Sequence, residues 1–233
     1  MIKINIKTKT KIKKFLHSKN AKRIAIALIV IGIGIALRPG YLAWRFDWMQ
    51  RQMLSSWQNT IMFNADKTVT PVGDDGSDVW EEDIYPDVDV NYVVHNMDGT
   101  ITIPKIKLRM PIINKYTVSN LNIAPCTVIA GRKMGQIGNY VLAGHRSRVR
   151  GRHFNRIIEL DAGDIIITEN KTSRYTYQVT DNLLVTPEDT WVMNNVDDKK
   201  LITLITCDYR TDPTGRLIIR GELIGSEPID NTE

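Results

Sequence analysis

From residue 99 onward, the chain consists of short runs in which apolar and polar residues alternate. In the run 201–207, odd-numbered positions such as Ile205 and Cys207 fall on one face of a strand, and even-numbered positions fall on the other. The predicted strands are 100–103, 106–112, 127–130, 138–144, 164–169, 174–180, 182–186, 200–207 and 215–224, with turns at Gly163-Asp164, Asn170-Lys171 and Asp181-Asn182. Many short strands in one segment predict an all-β domain, either a closed barrel or a sandwich.

An apolar segment lies near the N-terminus. Residues 24–37 carry no charge, but fourteen residues are short for a bilayer span. Extension to Trp44 gives 21 residues, which is about 31 Å of helix. Arg38 can reach toward the headgroups, and Tyr41 and Trp44 suit the membrane interface. We therefore predict a transmembrane anchor over 24–44.

A cleaved signal peptide is the alternative, because its apolar region has a similar length. No clear small-x-small cleavage site follows the segment, and the aromatic residues after it favour an anchor that is not removed. Pro39-Gly40 is expected to bend or end the helix near the outer face of the membrane.

The charge of the chain is divided unevenly. The net charge is +5, yet residues 1–23 alone contain nine cations and no acid. The remainder has 22 basic residues (31 minus 9) against 26 acidic ones, so it does not have the charge of a nucleic-acid-binding body. Cations beside an apolar span favour the cytoplasmic side, so we predict a cytoplasmic arm over 1–23 and an extracellular body.

The segment 45–98 is predicted to connect the anchor to the strand-rich domain. Arg45–Asn59 has the pattern of an amphipathic juxtamembrane helix, and acidic residues crowd the stretch that follows. No lysine or arginine occurs from Thr68 to Pro104, which is typical of a solvated linker.

Candidate chemistry lies at the ends of two predicted strands. Cys207 ends one strand, a run of turn residues occupies 208–215, and Arg216 begins the next strand, so a hairpin would place these two side chains at the same end. His145 follows the strand 138–144, and a histidine far away in sequence can still lie beside a cysteine that it activates. Each signal alone is weak, because a strand cysteine is most often a small buried hydrophobe.

Together, these pieces resemble the sortase family, the cysteine transpeptidases of Gram-positive cell surfaces. The resemblance runs from about residue 99 to 223, and three separate motifs at compatible spacings make it specific. The motifs are Leu142-Ala143-Gly144-His145-Arg146, Thr203-Leu204-Ile205-Thr206-Cys207 and Arg216-Leu217-Ile218-Ile219-Arg220-Gly221, with further similarity at Phe154, 160–165 and 175–179. Papain-like proteases have the cysteine before the histidine instead.

The resemblance implies a closed eight-stranded barrel over 99–226 with short helices in the connections, one of them in 187–199, and a tail over 227–233. It implies that Cys207 is the nucleophile and that His145 moves the proton. Arg216 would hold the substrate and stabilise the oxyanion.

Further residues of the site are also implied only by the resemblance. Thr206 would border the reaction centre, and Ala143 and Ile205 would line a pocket for the apolar part of a sorting signal. Asp78-Val79-Trp80 is faintly similar to the lid of pilin-building sortases, but the proline of that lid is missing, so we expect a linker there and not a lid.

The implied reaction cleaves an LPxTG-like C-terminal sorting signal through a thioacyl-enzyme intermediate and joins the protein to a cell-wall amine. The partners would be surface proteins with such signals, a cell-wall precursor amine and the membrane. Three alternatives stay open: a pilin-polymerising sortase that uses a lysine amine, hydrolysis with water as acceptor, and an inactive membrane-tethered peptide-binding module. The Cys-to-Arg interval is similar to that of pilin-type enzymes, whereas a single N-terminal anchor suits a housekeeping or accessory enzyme.

No metal or cofactor is expected. The four histidines form no ligand spacing with either cysteine. No Asp or Glu occurs from Pro111 to Gly144, so the calcium activation known in some housekeeping sortases is not expected here. Cys126 is predicted to be a buried or partly buried free thiol, because a disulfide with Cys207 would silence the nucleophile.

Overall fold

Two compact units make up the chain. A computed structural model describes residues 19–62, 89–147, 151–210 and 214–229. The two units are Met1–Trp48 and Met49–Glu233. A long helix, α1 (Lys19–Met62), contributes to each of them.

The first unit contains the predicted membrane anchor. The large apolar side chains from Ile24 to Leu37 are all exposed, and a helix that is apolar all round needs an apolar environment. Among the described residues, α1 is the one helix long and apolar enough to cross a membrane. The rings of Tyr41 and Trp44 are exposed, with centroids 6.2 Å apart.

The helix α1 runs through Pro39 without ending. Of the two outcomes expected at this proline, an end of the helix is therefore wrong, and the juxtamembrane helix predicted from Arg45 is a continuation of the same helix. A proline removes one N–H donor and disturbs one carbonyl, and the turns on either side keep their hydrogen bonds.

The part of α1 in the second unit has the predicted amphipathic pattern. Met53 and Trp57, which lie on one face because they are four residues apart, are buried. Gln50 Nε2 donates a hydrogen bond to the carbonyl oxygen of Ile123 at 3.2 Å. The ammonium of Lys171 lies 5.1 Å from the centroid of the Trp57 ring. This end of α1 is thus packed as part of the second unit.

Several sequence predictions fall outside the described residues. These are the basic arm up to residue 18, the acidic part of the linker with its lid-like tripeptide at 78–80, and the end of the tail after 229. Their assignments, and the domain boundaries as a whole, stay predictions.

The second unit is a closed barrel, as predicted. Its strands are β1 (Met97–Ile103), β2 (Leu108–Ile113), β3 (Cys126–Thr127), β4 (Gly138–Ala143), β5 (Ile165–Glu169), β6 (Ser173–Val185), β7 (Lys200–Asp208) and β8 (Gly215–Pro228). Around the barrel they follow the order β1-β2-β3-β4-β7-β8-β6-β5. The interior is filled by apolar residues, and the largest fully buried ones include Tyr177, Phe154, Ile101, Ile112, Leu142 and Ile202.

Short helices occupy several connections. They are α2 (Val90–Asn96), α3 (Val118–Ile123), and 3-10 turns at Pro104–Ile106, Ile157–Glu159 and Thr190–Met193. The last of these confirms the helix predicted within 187–199. In α3, the Thr117 hydroxyl oxygen accepts a hydrogen bond from the Asn120 backbone N–H at 3.1 Å, which caps the first turn.

One predicted turn is wrong. The strands predicted at 174–180 and 182–186 form a single strand, β6, which pairs with β8 on both sides of Asp181. The register shifts between Val179 and Asp181, as in a β-bulge. A bulge absorbs the extra residue without ending the strand, so the polar pair Asp181-Asn182 bends the ladder and does not reverse the chain.

Candidate active site

The candidate residues lie at the ends of three neighbouring strands. β4 pairs in parallel with β7, with Ala143 opposite Ile205. β7 pairs antiparallel with β8, with Cys207 opposite Arg216. The predicted hairpin is confirmed, and it brings the thiol and the guanidinium to the same end of the sheet.

His145 lies two residues beyond Ala143, as Cys207 lies two residues beyond Ile205. The Gly144 backbone N–H donates to the Ile205 carbonyl oxygen at 3.0 Å, which extends the pairing toward the histidine. Parallel strands keep their register, so His145 and Cys207 stand at the same level of neighbouring strands.

Glycine is required at position 144 because Phe154 packs against it. A Cβ there would lie 2.5 Å from Phe154 Cδ2, which is closer than real side chains approach. The Phe154 ring is fully buried, and its backbone N–H donates to the carbonyl oxygen of His145 at 2.9 Å. The Ala-Gly-His sequence thus lets the chain lie flat on a core aromatic ring just before the histidine.

The thiol of Cys207 is half-buried and free. Arg216 is also half-buried, and its Nη1 donates to the carbonyl oxygens of Thr214 at 3.2 Å and Gly215 at 3.1 Å. These bonds hold one corner of the guanidinium against the chain that enters β8. The Nε and Nη2 groups, with three further N–H donors, take no part in them.

The residues predicted to bind substrate lie on two faces. Ala143 in β4 and Ile205 in β7 are cross-strand partners, and both are half-buried. Ile205 lies on the same face of β7 as Cys207. Thr206 lies on the other face and is buried, with no hydrogen-bond partner for its hydroxyl among the described residues. The structure therefore groups the first two with the thiol and turns the Thr206 side chain away.

Asn122 contacts the candidate histidine, and sequence reasoning missed it. His145 Nε2 lies 2.9 Å from Asn122 Oδ1. The tautomer decides which atom donates in this contact, and a neutral ring with its proton on Nε2 would donate to the amide oxygen. Asn122 lies in α3, in a stretch with no periodicity or motif that marks it.

A second histidine packs against the first. The rings of His153 and His145 are perpendicular, with centroids 6.0 Å apart. His153 is buried, and burial lowers its pKa to about 3, helped by the nearby His145 and Arg152. A neutral ring of this kind orients its neighbour without exchanging protons near pH 7. Phe154, the residue after His153, was part of the family resemblance, but no motif in the sequence marked His153 itself.

The second cysteine, Cys126, is free and fully buried. Burial raises its pKa to about 12, and its Sγ lies 3.3 Å from the carbonyl oxygen of Ala124. This confirms the prediction of a buried free thiol. Within the part of the chain that the structure describes, no group of three or more His, Cys, Asp or Glu side chains could hold a metal ion.

A cavity of about 410 Å³ lies elsewhere, lined among others by Trp57, Met97, Lys133 and Tyr175. Its wall includes residues 170–172, just before β6, whereas the far end of β6 pairs with Arg216. The cavity is therefore separate from the candidate site.

Known proteins with similar sequences and folds all point to one family. A Sortase domain model matches residues 101–224. Sortase A of Bacillus anthracis is 30% identical over 204 residues, which cover 88% of this chain and 94% of that protein. The structure of Listeria monocytogenes sortase A superposes with a TM-score of 0.55 at 30% identity, covering 58% of this chain and 92% of that one. Sortase C1 of Streptococcus agalactiae gives a TM-score of 0.51 at 28% identity, covering 56% and 68%.

Proposed function

The chain belongs to the sortase family, and we propose that it is a transpeptidase in which Cys207, His145 and Arg216 carry out the reaction. Its substrates are surface proteins with an LPxTG-like C-terminal sorting signal, which it joins to a cell-wall amine. One observation carries the proposal: thiol, imidazole and guanidinium stand at the ends of three adjacent strands, β4, β7 and β8.

The first half-reaction cleaves the sorting signal. The Cys207 thiolate attacks the carbonyl carbon of the scissile peptide bond, and a C–S bond forms. The C–N bond then breaks, and the departing amine takes a proton from the His145 imidazolium. Because Nε2 contacts Asn122, we assign the proton exchange with substrate to the other ring nitrogen, Nδ1.

The second half-reaction transfers the acyl group. Neutral His145 removes a proton from the acceptor amine, which attacks the thioester carbon. A new C–N bond forms, the C–S bond breaks, and Cys207 leaves as thiolate. No net oxidation occurs, and His145 regains from the acceptor amine the proton that it gave to the departing amine.

Arg216 stays protonated and so serves as an electrostatic group, not as a base. Two tetrahedral intermediates place negative charge on an oxygen beside Cys207, and the N–H groups on Nε and Nη2 suit that oxygen or a substrate carbonyl. The bonds from Nη1 to Thr214 and Gly215 support this role, because they restrain the guanidinium before substrate arrives.

The half-buried pair Ala143 and Ile205 suits the apolar part of the sorting signal, because it lies on the face that carries Cys207. Thr206 contributes to the site from behind, through its backbone beside Cys207, since its side chain is on the opposite face. The exposed apolar helix over 24–44 serves as the anchor, with the arm 1–23 in the cytoplasm and the barrel outside the cell.

The test is product analysis by mass spectrometry, with the full chain in detergent and a panel of LPxTG-like peptides. Glycine peptides, diamines and lysine peptides are offered as acceptors. A product that contains the acceptor supports transpeptidation, and the preferred acceptor separates cell-wall from pilin chemistry. Cleavage with water alone at millimolar amine indicates a protease, and binding without turnover indicates a binding module.

A thiol-reactive analogue of the sorting peptide gives an independent check on the nucleophile. It should form a thioether with Cys207, and the Cys207→Ala variant is the matched control. Labelling that occurs mainly at Cys126 would contradict the proposal.

A further inference from the structure

A charge cluster built on one buried carboxylate lies next to the candidate site. Asp208 follows Cys207 in β7, and its side chain is completely buried. Arg146 follows His145, and its Nη1 lies 2.5 Å from Asp208 Oδ1. The residue after His145 and the residue after Cys207 are thus joined by an ion pair.

A second arginine binds the same carboxylate. Arg210 Nε lies 2.9 Å from both carboxylate oxygens of Asp208, and its Nη2 lies 2.6 Å from Oδ2. Its backbone N–H also donates to Oδ1 at 3.2 Å. These groups, chiefly the Arg210 side chain, hold the pKa of Asp208 at about 2. The carboxylate is therefore charged throughout the usual assay range.

The two arginines differ in what they connect. Arg210 is on the same strand end as Asp208, only two residues away, and its side chain is 56% exposed. Arg146 is 62 residues from Asp208 in sequence and is 18% exposed. Only the Arg146 bond crosses from the end of β4 to the end of β7.

The position of this bond along the strands is informative. The paired register of β4 and β7 ends at Ala143 opposite Ile205, and Gly144 adds one hydrogen bond. The Arg146–Asp208 bond lies beyond that point. Cys207 and Asp208 are consecutive in β7, so the Asp208 side chain, with its bond to Arg146, lies on the face opposite to Cys207.

We propose that the Arg146–Asp208 ion pair is a positioning device that fixes the ends of β4 and β7 so that His145 stays within reach of Cys207. The inference rests on the proposed function, because it assigns a task to residues next to that site. An ion pair between buried groups is directional and breaks at a high cost when one partner is lost. A displacement of about 1 Å between reacting groups can lower a rate about a hundredfold.

Two matched variants test the proposal on the full chain in detergent. Arg146→Gln and Arg210→Gln each remove one guanidinium from the same carboxylate. Arg210 makes more hydrogen bonds to Asp208 than Arg146 does. If both arginines had a purely structural role, Arg210→Gln would lower the Tm more than Arg146→Gln and would reduce activity at least as much. The positioning role predicts that Arg146→Gln lowers kcat by about 10- to 100-fold, with KM for the peptide nearly unchanged. Arg210→Gln should lower kcat much less.

Arg146→Lys provides the rescue. Arg146 uses one nitrogen in the bond, so a lysine ammonium can restore much of the link, and kcat should recover substantially above that of Arg146→Gln. Because Arg146→Lys retains the buried charge balance, it also keeps the test informative if Arg146→Gln does not fold.

The outcomes separate this inference from the proposed function. If Cys207→Ala still turns over peptide, the proposed function itself is wrong. If Cys207→Ala is inactive but Arg146→Gln keeps a kcat equal to that of Arg210→Gln, the site is correct and the positioning role is wrong. A loss confined to KM, or an Arg146→Lys variant no better than Arg146→Gln, would also overturn it.

Discussion

The two cysteines of this chain flank the same strand in opposite environments. Cys126 lies in β3 and pairs with Ala143 on one side of β4. Cys207 is the second-last residue of β7, which pairs with β4 on the other side. Cys126 is fully buried, whereas Cys207 is half-buried at a strand end opposite Arg216.

This difference predicts that position on the barrel decides which of the two cysteines can react. Burial raises the pKa of Cys126 to about 12, so almost no thiolate exists there near pH 7. Cys207 has access to solvent, and its strand lies between β4, which leads into His145, and β8, in which Arg216 is the cross-strand partner of Cys207. The same chemical group is a core residue in one place and a candidate nucleophile in the other.

The largest effect is expected from removing the thiol of Cys207, compared with removing that of Cys126. Cys207→Ala should lower kcat for peptide exchange by more than about 10⁴-fold, because no other group in the proposed mechanism forms the acyl intermediate. Cys126→Ala should retain most activity and lose some stability from the lost packing. Mass spectrometry of the exchange product measures both. An inactive but folded Cys126→Ala would break the comparison.

Removal of the imidazole should have the next largest effect. In His145→Ala, Cys207 keeps its exposure but loses its proton-transfer partner, and kcat should fall by about 10²- to 10⁴-fold. His153→Gln is the informative companion, because its low pKa makes it a neutral packing group near pH 7. That variant should change kcat less and leave the shape of the pH–rate profile intact. If only His153→Gln altered the pH–rate profile, proton transfer would belong to His153, and the assignment to His145 would be wrong.

The third test asks whether Arg216 acts through the planar arrangement of its N–H donors or only through its positive charge. Arg216→Lys keeps the cation but loses the planar set of donors, so kcat should fall by about 10²- to 10³-fold while the Tm stays close to that of the wild type. Arg220→Lys is the matched control on the same strand, where Nη2 donates to the Val192 carbonyl oxygen at 2.9 Å. Near-normal turnover of Arg216→Lys, or a much lower Tm, would assign Arg216 another task.

Sequence patterns predicted those parts of the molecule that depend on local alternation and short-range turns. The β7–β8 hairpin and the strand before His145 follow from such signals, whereas alternation left a barrel and a sandwich open and the family resemblance chose the closed barrel. Long-range partners were missed, since Asn122 is 23 residues from His145 and no motif connects them. Asp208 was read as the first residue of a turn, but it ends β7 as a buried carboxylate. The buried carboxylate pairs with Arg210 and with Arg146, and only the folded barrel brings Arg146 to it.

The smallest expected effect concerns the buried thiol and alkaline pH. The pKa of Cys126 is raised from 9.0 to about 12 in the folded protein. Between these values the thiol ionises in the unfolded chain but not in the folded barrel. The free energy of unfolding that the neutral Cys126 thiol contributes is therefore complete below pH 9 and is lost as the pH rises toward 12.

The measurement compares Cys126→Ala with its parent, both carrying Cys207→Ala so that only one thiol titrates. Urea unfolding near neutral pH gives the packing cost of the substitution. At about pH 10.5 the parent should have lost about 2 kcal/mol more than the variant, from about 1.4 kcal/mol per pH unit. Tyrosines and lysines titrate equally in both proteins and cancel. A stability gap that does not change with pH would mean that Cys126 ionises in the folded state, and the contrast between the two thiols would then lose its physical basis.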